Sequence, residues 1–491
     1  MRKMYVFLIN GIILTVSALI MRLVMVWFNA YISSKIGTEG MGLYTLVMSV
    51  YAFAVTVAIS GMGLACTRLV AEEISKKNHL GVRFAVKRCA ALSFLFGVIA
   101  LGAIYIFSGF IGEVLLQNKM TVISLKAFAL SLPFLSLSCI LNGYFTATGR
   151  VIKSSAVQFA ELFTRIFVTS LLLNNLLSKT MEYSCLAVVL GGTIAETASC
   201  IYYSAIYFTD IKRYSKKGDT SGIKRKIFSI SIPVALSSYL KSGLSTLKHI
   251  LIPIQLKKSG MSAGMSLSKY GIINGMVMPV IMFPSAIIIS FSSLILPEIS
   301  KLYVNGKYSR INRSVSKIFK ITLLFSIGVT GVFMYYSDYL GQMIYKNSEA
   351  GLYICLIAPL TAIMYLDAVT DSILKGINQQ VGVVKINIID TVTCIILIYY
   401  LLPLYSVNGY IMVIFVSEIL NGVLSVGKLI KSVNFDFLFV NWILKPAVCA
   451  VASSFCISRI GLEENIASIM LFFLIYLIFL FGFKCIKFKN I

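Results

Sequence analysis

Residues 1–28 read MRKMYVFLINGIILTVSALIMRLVMVWF, a basic start followed by an apolar run that continues through Trp27. A cleaved signal peptide has a shorter apolar core and a small-residue cleavage site after it, and neither occurs here. The run is long enough to cross a bilayer as a helix. We therefore expect an uncleaved first membrane helix over residues 5–32, with Arg22 near its middle.

The same kind of apolar segment recurs along all 491 residues. The chain is 58% hydrophobic and 13% charged, whereas a soluble domain carries about 25% charged residues. This composition predicts an all-α polytopic membrane protein with about fourteen transmembrane helices. The predicted spans are 5–32, 43–69, 89–112, 120–144, 156–177, 184–208, 227–254, 272–297, 321–339, 351–374, 386–402, 408–427, 437–458 and 465–483.

Basic residues between the spans predict the orientation. The net charge of +25 could suggest nucleic-acid binding, but the lysines and arginines lie in short loops rather than on a basic domain. With the N-terminus inside, 29 of them fall in cytoplasmic loops and ends, and eight fall on the opposite side. Lys and Arg hold loops in the cytoplasm. We expect a multi-pass protein of the bacterial cytoplasmic membrane with both termini cytoplasmic and no nucleic-acid partner.

An internal duplication is indicated by matching segments in the two halves. The tetrapeptide EISK occurs at 73–76 and at 298–301, each time at a predicted cytoplasmic boundary and 225 residues apart. That offset corresponds to six helices, so both halves have the same orientation, and transporters built from such parallel repeats bind substrate between the halves. The predicted division is an N-terminal six-helix lobe (1–209), a basic cytoplasmic linker (210–226), a C-terminal six-helix lobe (227–430) and two additional helices with a basic tail (431–491).

Motifs of soluble enzymes and metal proteins are absent from the sequence. Ten cysteines occur mostly inside apolar spans without a C-x-x-C pair, and there are only two histidines. A disulfide framework or a zinc site is therefore not expected. No Walker sequence occurs, and no pairing of a nucleophile with a base is evident. We expect neither an enzyme nor a bound cofactor, apart from Na⁺ or H⁺ as a coupling ion.

Basic residues inside predicted spans are candidate substrate contacts, because each costs on the order of 3 kcal/mol at a helix centre. Thr15, Arg22 and Asn29 are spaced by seven and share one face of the first helix. Lys241 and Lys248 share a face of the seventh, and Arg68 ends the second. One hypothesis is a cationic cavity that binds a pyrophosphate or another anion. The alternative is that these side chains extend to the lipid headgroups. The candidates for substrate binding are Arg22, Asn29, Arg68, Lys241 and Lys248.

Acidic residues inside the spans fall into two groups. Glu161 precedes Arg165 by four residues, a spacing that favours a structural ion pair on one helix. The others lie in the second half, where carboxylates indicate either a Na⁺ or H⁺ coupling site or a network that only packs helices. The candidates for ion coupling are Asp367, Asp371, Asp390 and Glu418.

Three segments resemble a known family. GTEGMGLY at 37–44 is similar to the G-x-x-G-x-G-x-Y turn of the multidrug/oligosaccharidyl-lipid/polysaccharide (MOP) flippase superfamily, as are residues 63–71 and GYFTATGR at 143–150. The resemblance is to the polysaccharide exporter branch of the stage V sporulation protein B type, with lipid II flippases as relatives. It implies two six-helix lobes that open alternately to either side, two final helices that form a groove for a polyprenyl tail, and Arg22 as an anion contact. Family members often carry a second basic residue where this chain has Asn29.

Three functional hypotheses follow. The first is a flippase that moves an anionic undecaprenyl-pyrophosphate-linked cell-wall or polysaccharide precursor across the cytoplasmic membrane, with a role in spore cortex synthesis implied by the resemblance alone. The second is a Na⁺- or H⁺-coupled antiporter of small organic molecules, although that branch of the superfamily tends to carry an acidic residue in its first helix, which is absent here. The third is a membrane scaffold for cell-wall synthesis enzymes.

Overall fold

In a computed structural model of the protein, the residues described are 2–175, 180–215, 218–433, 437–461 and 463–485, without the side chains of 2–15, 175, 291 and 293–298. Over these residues the chain is helical and contains no strand. The α-helices of the first half are α1 (Arg2–Ile59), α2 (Met62–Ser75), α3 (His79–Gly109), α4 (Thr121–Ala129), α5 (Leu132–Ala147), α6 (Val151–Asn175), α7 (Met181–Asp210), α8 (Ile223–Lys258) and α9 (Ala263–Tyr270).

The second half continues in the same way. Its α-helices are α10 (Met278–Met282), α11 (Ser285–Val304), α12 (Tyr308–Tyr335), α13 (Ser337–Tyr345), α14 (Ser348–Ile357), α15 (Thr361–Gly376), α16 (Gln380–Ser432), α17 (Lys445–Ile460) and α18 (Ile466–Gly482). Short π or 3₁₀ turns extend several of them, at Phe110–Leu115, Ile211–Arg213, Gly271–Val277, Ala358–Leu360 and Val440–Leu444.

The helices are long and apolar enough to cross a membrane many times. Within the described ranges, nine helical segments meet this criterion, and ten do if α4 and α5, which meet at a 45° bend, are counted as one span. Two of these segments are pairs of helices joined at a kink, at Gly37 in α1 (φ 71°, ψ −177°) and at Ser406 in α16 (φ 55°, ψ −131°). Each of these two segments then counts as two spans. With the helical residues 263–304 and the shorter α18 included, each predicted span has a helical counterpart. The predicted all-α polytopic fold is confirmed.

The chain groups into two compact units. Unit 1 comprises residues 1–21 and 35–271, and unit 2 comprises residues 22–34 and 272–491. The boundary between them follows α9, whereas the predicted linker at 210–226 covers the segment between α7 and α8. The predicted lobes were defined by duplication rather than by contacts, so that division stays a prediction.

The core of unit 1 forms where α2, α3, α5 and α7 meet the start of α8. Its centre contains Tyr144 and Phe145 of α5, both fully buried, together with Val82 and Cys89 of α3. Ile223, at the start of α8, packs into the same cluster. Burial of large apolar side chains at helix crossings fixes the positions of the helices that carry the polar residues described below.

Unit 2 contains two apolar clusters that share α12. One joins α11, α12, α15 and α16 around Phe319 and Ile373. The other joins α12 to α17 and α18 around Phe472 and Tyr476. Tyr476 also donates a hydrogen bond from its hydroxyl to the carbonyl of Leu324 at 2.8 Å. The two C-terminal helices are therefore an integral part of unit 2, packed against α12.

Candidate functional site

Arg22 lies in the middle of the first membrane helix, as predicted, and its side chain is exposed. Its guanidinium Nη1 lies 3.4 Å from the hydroxyl of Ser285, at the start of α11 in the same unit. In the part of the chain that the structure describes, no carboxylate forms an ion pair with it. Asn29, about two turns further along the same helix, is half-buried. The side chain of Thr15 lies outside the described residues.

The other three predicted cations belong to unit 1. Arg68 is exposed on α2, Lys241 is exposed on α8, and Lys248 is half-buried two turns further along α8. None of the three has a carboxylate partner among the described residues. The structure thus keeps Lys241 and Lys248 on one continuous helix. The predicted cationic cavity would need Arg22 of unit 2 together with these residues of unit 1, so it stays a prediction.

The ion pair predicted on α6 is part of a larger buried cluster in unit 1. Arg165 Nη2 lies 3.1 Å from Glu161 Oε1 and 3.5 Å from Glu196 Oε1 on α7. Glu196 is 6% exposed and accepts a short hydrogen bond from the hydroxyl of Tyr51 on α1, which also contacts Ser131 Oγ at 2.6 Å. The i,i+4 spacing revealed only the first pair. The partners on α1, α7 and the α4–α5 bend could not be inferred without the tertiary fold.

The acidic residues predicted for ion coupling all lie in unit 2 and have different partners. Asp367 Oδ2 on α15 accepts a hydrogen bond from the amide of Asn421 on α16 at 2.9 Å. Asp390 Oδ1 accepts one from the hydroxyl of Ser417 at 2.7 Å, which joins the two segments of α16. Both carboxylates are half-buried. Each accepts a hydrogen bond from an uncharged group, whereas Glu161 and Glu196 both contact the guanidinium of Arg165.

Asp371 and Glu418 complete the predicted acidic set. Asp371 Oδ2 lies 3.8 Å from the Nζ of Lys375, one turn further along α15, where Lys375 is half exposed. Glu418 is half-buried on α16, three residues before Asn421. The described residues contain no group of three or more His, Cys, Asp or Glu side chains that could hold a metal ion. A cation bound by the described residues of unit 2 would therefore have at most two such side chains as ligands and would need neutral oxygen ligands as well.

A pocket in unit 1 lies between α1, α2, α5 and α8. It has a volume of about 390 Å³, and its polar side chains are Thr56, Thr67, Asn142, Thr146 and Ser238. Backbone of Gly61, Gly63 and Gly143 forms part of the wall. The sequence signal for it was the pair of glycine-containing segments at 63–71 and 143–150. Without the fold, nothing indicated that they border one cavity together with α8.

The fold, with charged side chains placed within many apolar helices, is typical of a polytopic membrane transporter. Residues 7–303 match the family described as polysaccharide biosynthesis protein, and the chain belongs to this family. The match covers unit 1 and continues into α11.

Similar proteins are found in Bacillus subtilis (strain 168). Stage V sporulation protein B is 23% identical over 379 residues, which are 76% of this chain and 73% of the relative. Lipid II flippase MurJ is 22% identical over 432 residues, covering 82% of this chain and 78% of the relative. Sporulation protein YkvU is 20% identical and covers 67% of this chain and 74% of the relative.

Solved structures show the same fold. A lipid II flippase MurJ in an inward closed conformation superposes with a TM-score of 0.68 and 15% identity, over 96% of this chain and 99% of that one. An inward-facing multidrug resistance MATE transporter of the MOP superfamily superposes with a TM-score of 0.65 and 14% identity, over 84% and 97%. Together these likenesses confirm the predicted MOP superfamily membership. The protein is a multi-pass membrane transporter of the flippase type and not an enzyme.

Proposed function

We propose that the protein is an alternating-access flippase for an anionic lipid-linked sugar, an undecaprenyl-pyrophosphate-linked cell-wall or polysaccharide precursor. The observation that supports this most is the set of cations without carboxylate partners in the described chain: Arg22, Arg68, Lys241 and Lys248. A cation held in a membrane helix is costly unless it is paired or reaches water. An anionic substrate would supply the missing counter-charge.

Arg22 is the residue on which this proposal depends most. It lies far from either end of its helix, so its side chain is less able than that of Arg68 to reach a headgroup region. It donates a hydrogen bond to the uncharged hydroxyl of Ser285 at 3.4 Å, which leaves further N–H donors for a phosphate. Guanidinium groups bind phosphate through paired hydrogen bonds. The polyprenyl tail would remain in the lipid while the headgroup crosses.

The energy source is proposed to be the membrane potential or a cation gradient. Asp367 with Asn421 and Asp390 with Ser417 offer carboxylate and neutral oxygens of the kind that bind Na⁺ or exchange a proton. The same residues favour the second candidate function, an ion-coupled antiporter of small organic molecules. The two functions differ in which residues transport requires: Arg22 for the flippase, and the acidic residues without Arg22 for the antiporter.

The decisive experiment is flipping of a labelled polyprenyl-pyrophosphate-linked sugar in proteoliposomes. Arg22→Ala is expected to reduce the initial rate about ten- to hundredfold, the factor that corresponds to losing about 1.5–3 kcal/mol from a hydrogen bond to a charged group. Arg22→Lys should retain part of the activity, and Arg459→Ala, which removes an exposed arginine stacked on Phe455 of α17, should retain all of it. Full activity of Arg22→Ala would favour the antiporter, and absence of flipping by the wild type would contradict the flippase proposal itself.

A role in spore formation is proposed from the relatives alone. Two of the three similar proteins in Bacillus subtilis are sporulation proteins by name. We expect deletion of the gene in a spore-forming host to lower the fraction of heat-resistant spores while vegetative growth is unchanged. Complementation with the wild type should restore these spores and complementation with Arg22→Ala should not. Slower vegetative growth of the deletion strain would instead indicate a role in general wall synthesis.

A further inference from the structure

The pocket between α1, α2, α5 and α8 differs chemically from the predicted anion contacts. Of its thirteen lining residues, all within the described part of unit 1, none is charged. A phosphate group binds where cations or converging N–H groups are present, so this pocket is poorly suited to the pyrophosphate. Its five polar side chains make it equally unsuited to a polyprenyl chain, since their hydrogen-bonding groups would be covered by hydrocarbon.

Its polar groups are both donors and acceptors. The hydroxyls of Thr56, Thr67 and Thr146 donate to carbonyls of their own helices, those of Ala52, Gly63 and Asn142, at 2.8–2.9 Å. A hydroxyl that has used its proton in this way still offers lone pairs as an acceptor. Thr67 and Thr146 therefore present acceptors for the hydroxyl groups of a ligand, whereas the hydroxyl of Thr56 also contacts that of Ser242 at 3.1 Å.

Asn142 and Ser238 provide the donors. The Oδ1 of Asn142 accepts a hydrogen bond from the hydroxyl of Ser154 at 2.5 Å. The NH₂ group of the same amide has no acceptor in the described chain. The hydroxyl of Ser238 also has no hydrogen-bond partner there. Uncharged donors and acceptors distributed around one cavity complement a ligand that is itself rich in hydroxyl groups.

One wall of the pocket forms where α2 and α5 approach closely through glycines. A Cβ on Gly63 would lie 2.6 Å from the Sγ of Cys139, and one on Gly143 would lie 2.8 Å from Oγ1 of Thr67. The glycines thus bring the polar side chains of α2 and α5 close together at the pocket. The volume of about 390 Å³ lies at the lower end of the range for small-molecule sites.

We infer that this pocket is a sugar subsite, which binds an uncharged pyranose unit of the transported lipid through Asn142, Thr146 and Ser238. The inference rests on the proposed function, because it assigns one part of the lipid-linked substrate to one site. It divides recognition into two parts: cations bind the pyrophosphate, and the uncharged pocket binds the sugar. The sugar is also the part of the substrate that distinguishes it from the carrier lipid, which has the same polyprenyl tail and a pyrophosphate but no sugar.

Cys139 makes the pocket testable without a transport assay, since its half-buried thiol lines the cavity. In lipid nanodiscs, modification of Cys139 by N-ethylmaleimide would be followed by mass spectrometry, with the half-buried Cys355 and Cys456 as internal references. Polyprenyl pyrophosphate carrying a sugar should slow modification of Cys139 several-fold, whereas polyprenyl pyrophosphate without a sugar should leave the rate unchanged. Equal protection by both lipids, or by neither, would overturn the sugar subsite.

Variants connect the protection to the side chains. Combining Thr146→Val with Ser238→Ala removes two hydroxyls without adding bulk, and is expected to weaken protection by the sugar-linked lipid about tenfold, given the contribution of two hydrogen bonds. The matched control combines Thr209→Val on α7 with Ser237→Ala on α8, whose hydroxyls bond to their own helices outside the pocket. In this control the sugar-linked lipid should protect Cys139 as well as it does in the wild type. Unchanged protection in the first pair would contradict the assignment.

The same preparations distinguish this proposal from the proposed function. If the wild type flips the lipid but the lipid does not protect Cys139, the sugar subsite is contradicted and the flippase proposal is supported. If the lipid protects Cys139 but is not flipped, the subsite is supported and the flippase proposal is contradicted.

Discussion

The carboxylates beside Arg165 in unit 1 and the carboxylates of Asp367 and Asp390 in unit 2 differ in what they contact. In unit 1, Glu161 and Glu196 lie on either side of Arg165, at 3.1 and 3.5 Å. In unit 2, Asp367 and Asp390 accept hydrogen bonds from an amide and a hydroxyl. A carboxylate next to a buried guanidinium cannot be protonated or lose its partner cheaply, whereas one next to neutral groups can accept a proton or a cation. We therefore interpret the first cluster as structural, and Asp390 with its hydroxyl partner is the first place to test the proposed ion coupling.

The largest expected effect tests the structural cluster. Arg165→Ala leaves the carboxylates of Glu161 and the buried Glu196 without their shared cation, and removing one partner of a buried ion pair costs about 3–5 kcal/mol. We expect a strongly lowered thermal unfolding midpoint in detergent, or no folded protein at all. The combination Arg165→Gln with Glu196→Gln removes the cation together with a buried charge and should recover much of the loss. A midpoint for Arg165→Ala equal to that of Arg459→Ala would show that the cluster does not hold these helices together.

An intermediate effect is expected at Asp390. Asp390→Asn keeps an oxygen that can accept from Ser417, so the unfolding midpoint should stay close to that of the wild type. The change removes the charge that a proton or Na⁺ would neutralise, so the response of the transport rate to an imposed proton or Na⁺ gradient should disappear. Asp338→Asn, at the exposed start of α13, provides the matched control. Undiminished gradient dependence in Asp390→Asn, and in Asp367→Asn, would move the coupling site elsewhere.

Local patterns in the sequence predicted the helices and one pair of contacts, for a physical reason. Apolar runs of bilayer length must be helical because their backbone groups cannot be satisfied otherwise, so the spans were visible without tertiary information. The pair Glu161–Arg165 was visible because residues four apart meet on one helix. By contrast, Tyr51 and Glu196 are 145 residues apart, and no local rule brings them together.

The pocket in unit 1 also depends on contacts between residues that are distant in the sequence. Glycine-containing segments at 63–71 and 143–150 were evident, but a glycine in a sequence does not reveal which helix packs against it. The neutral partners Asn421 and Ser417 were also missed as functional groups, since uncharged polar residues are common in membrane helices. The sequence therefore identified the charged residues inside the spans but not their neutral partners.

The smallest expected effect concerns Asp371, an acidic residue of unit 2 that lies close to a lysine on its own helix. Its pair with Lys375 at 3.8 Å joins residues four apart on α15, and Lys375 is 51% exposed. Such exposed pairs contribute about 0.3–0.5 kcal/mol. Lys375→Ala should therefore leave the unfolding midpoint within error of the wild type. If Asp371 takes part in ion coupling, the same variant should alter the concentration of Na⁺ or H⁺ at which transport is half-maximal, because the lysine would no longer compete for the carboxylate. An unchanged midpoint together with an unchanged ion dependence would exclude Asp371 and leave Asp367, Asp390 and Glu418 as the candidates for ion coupling.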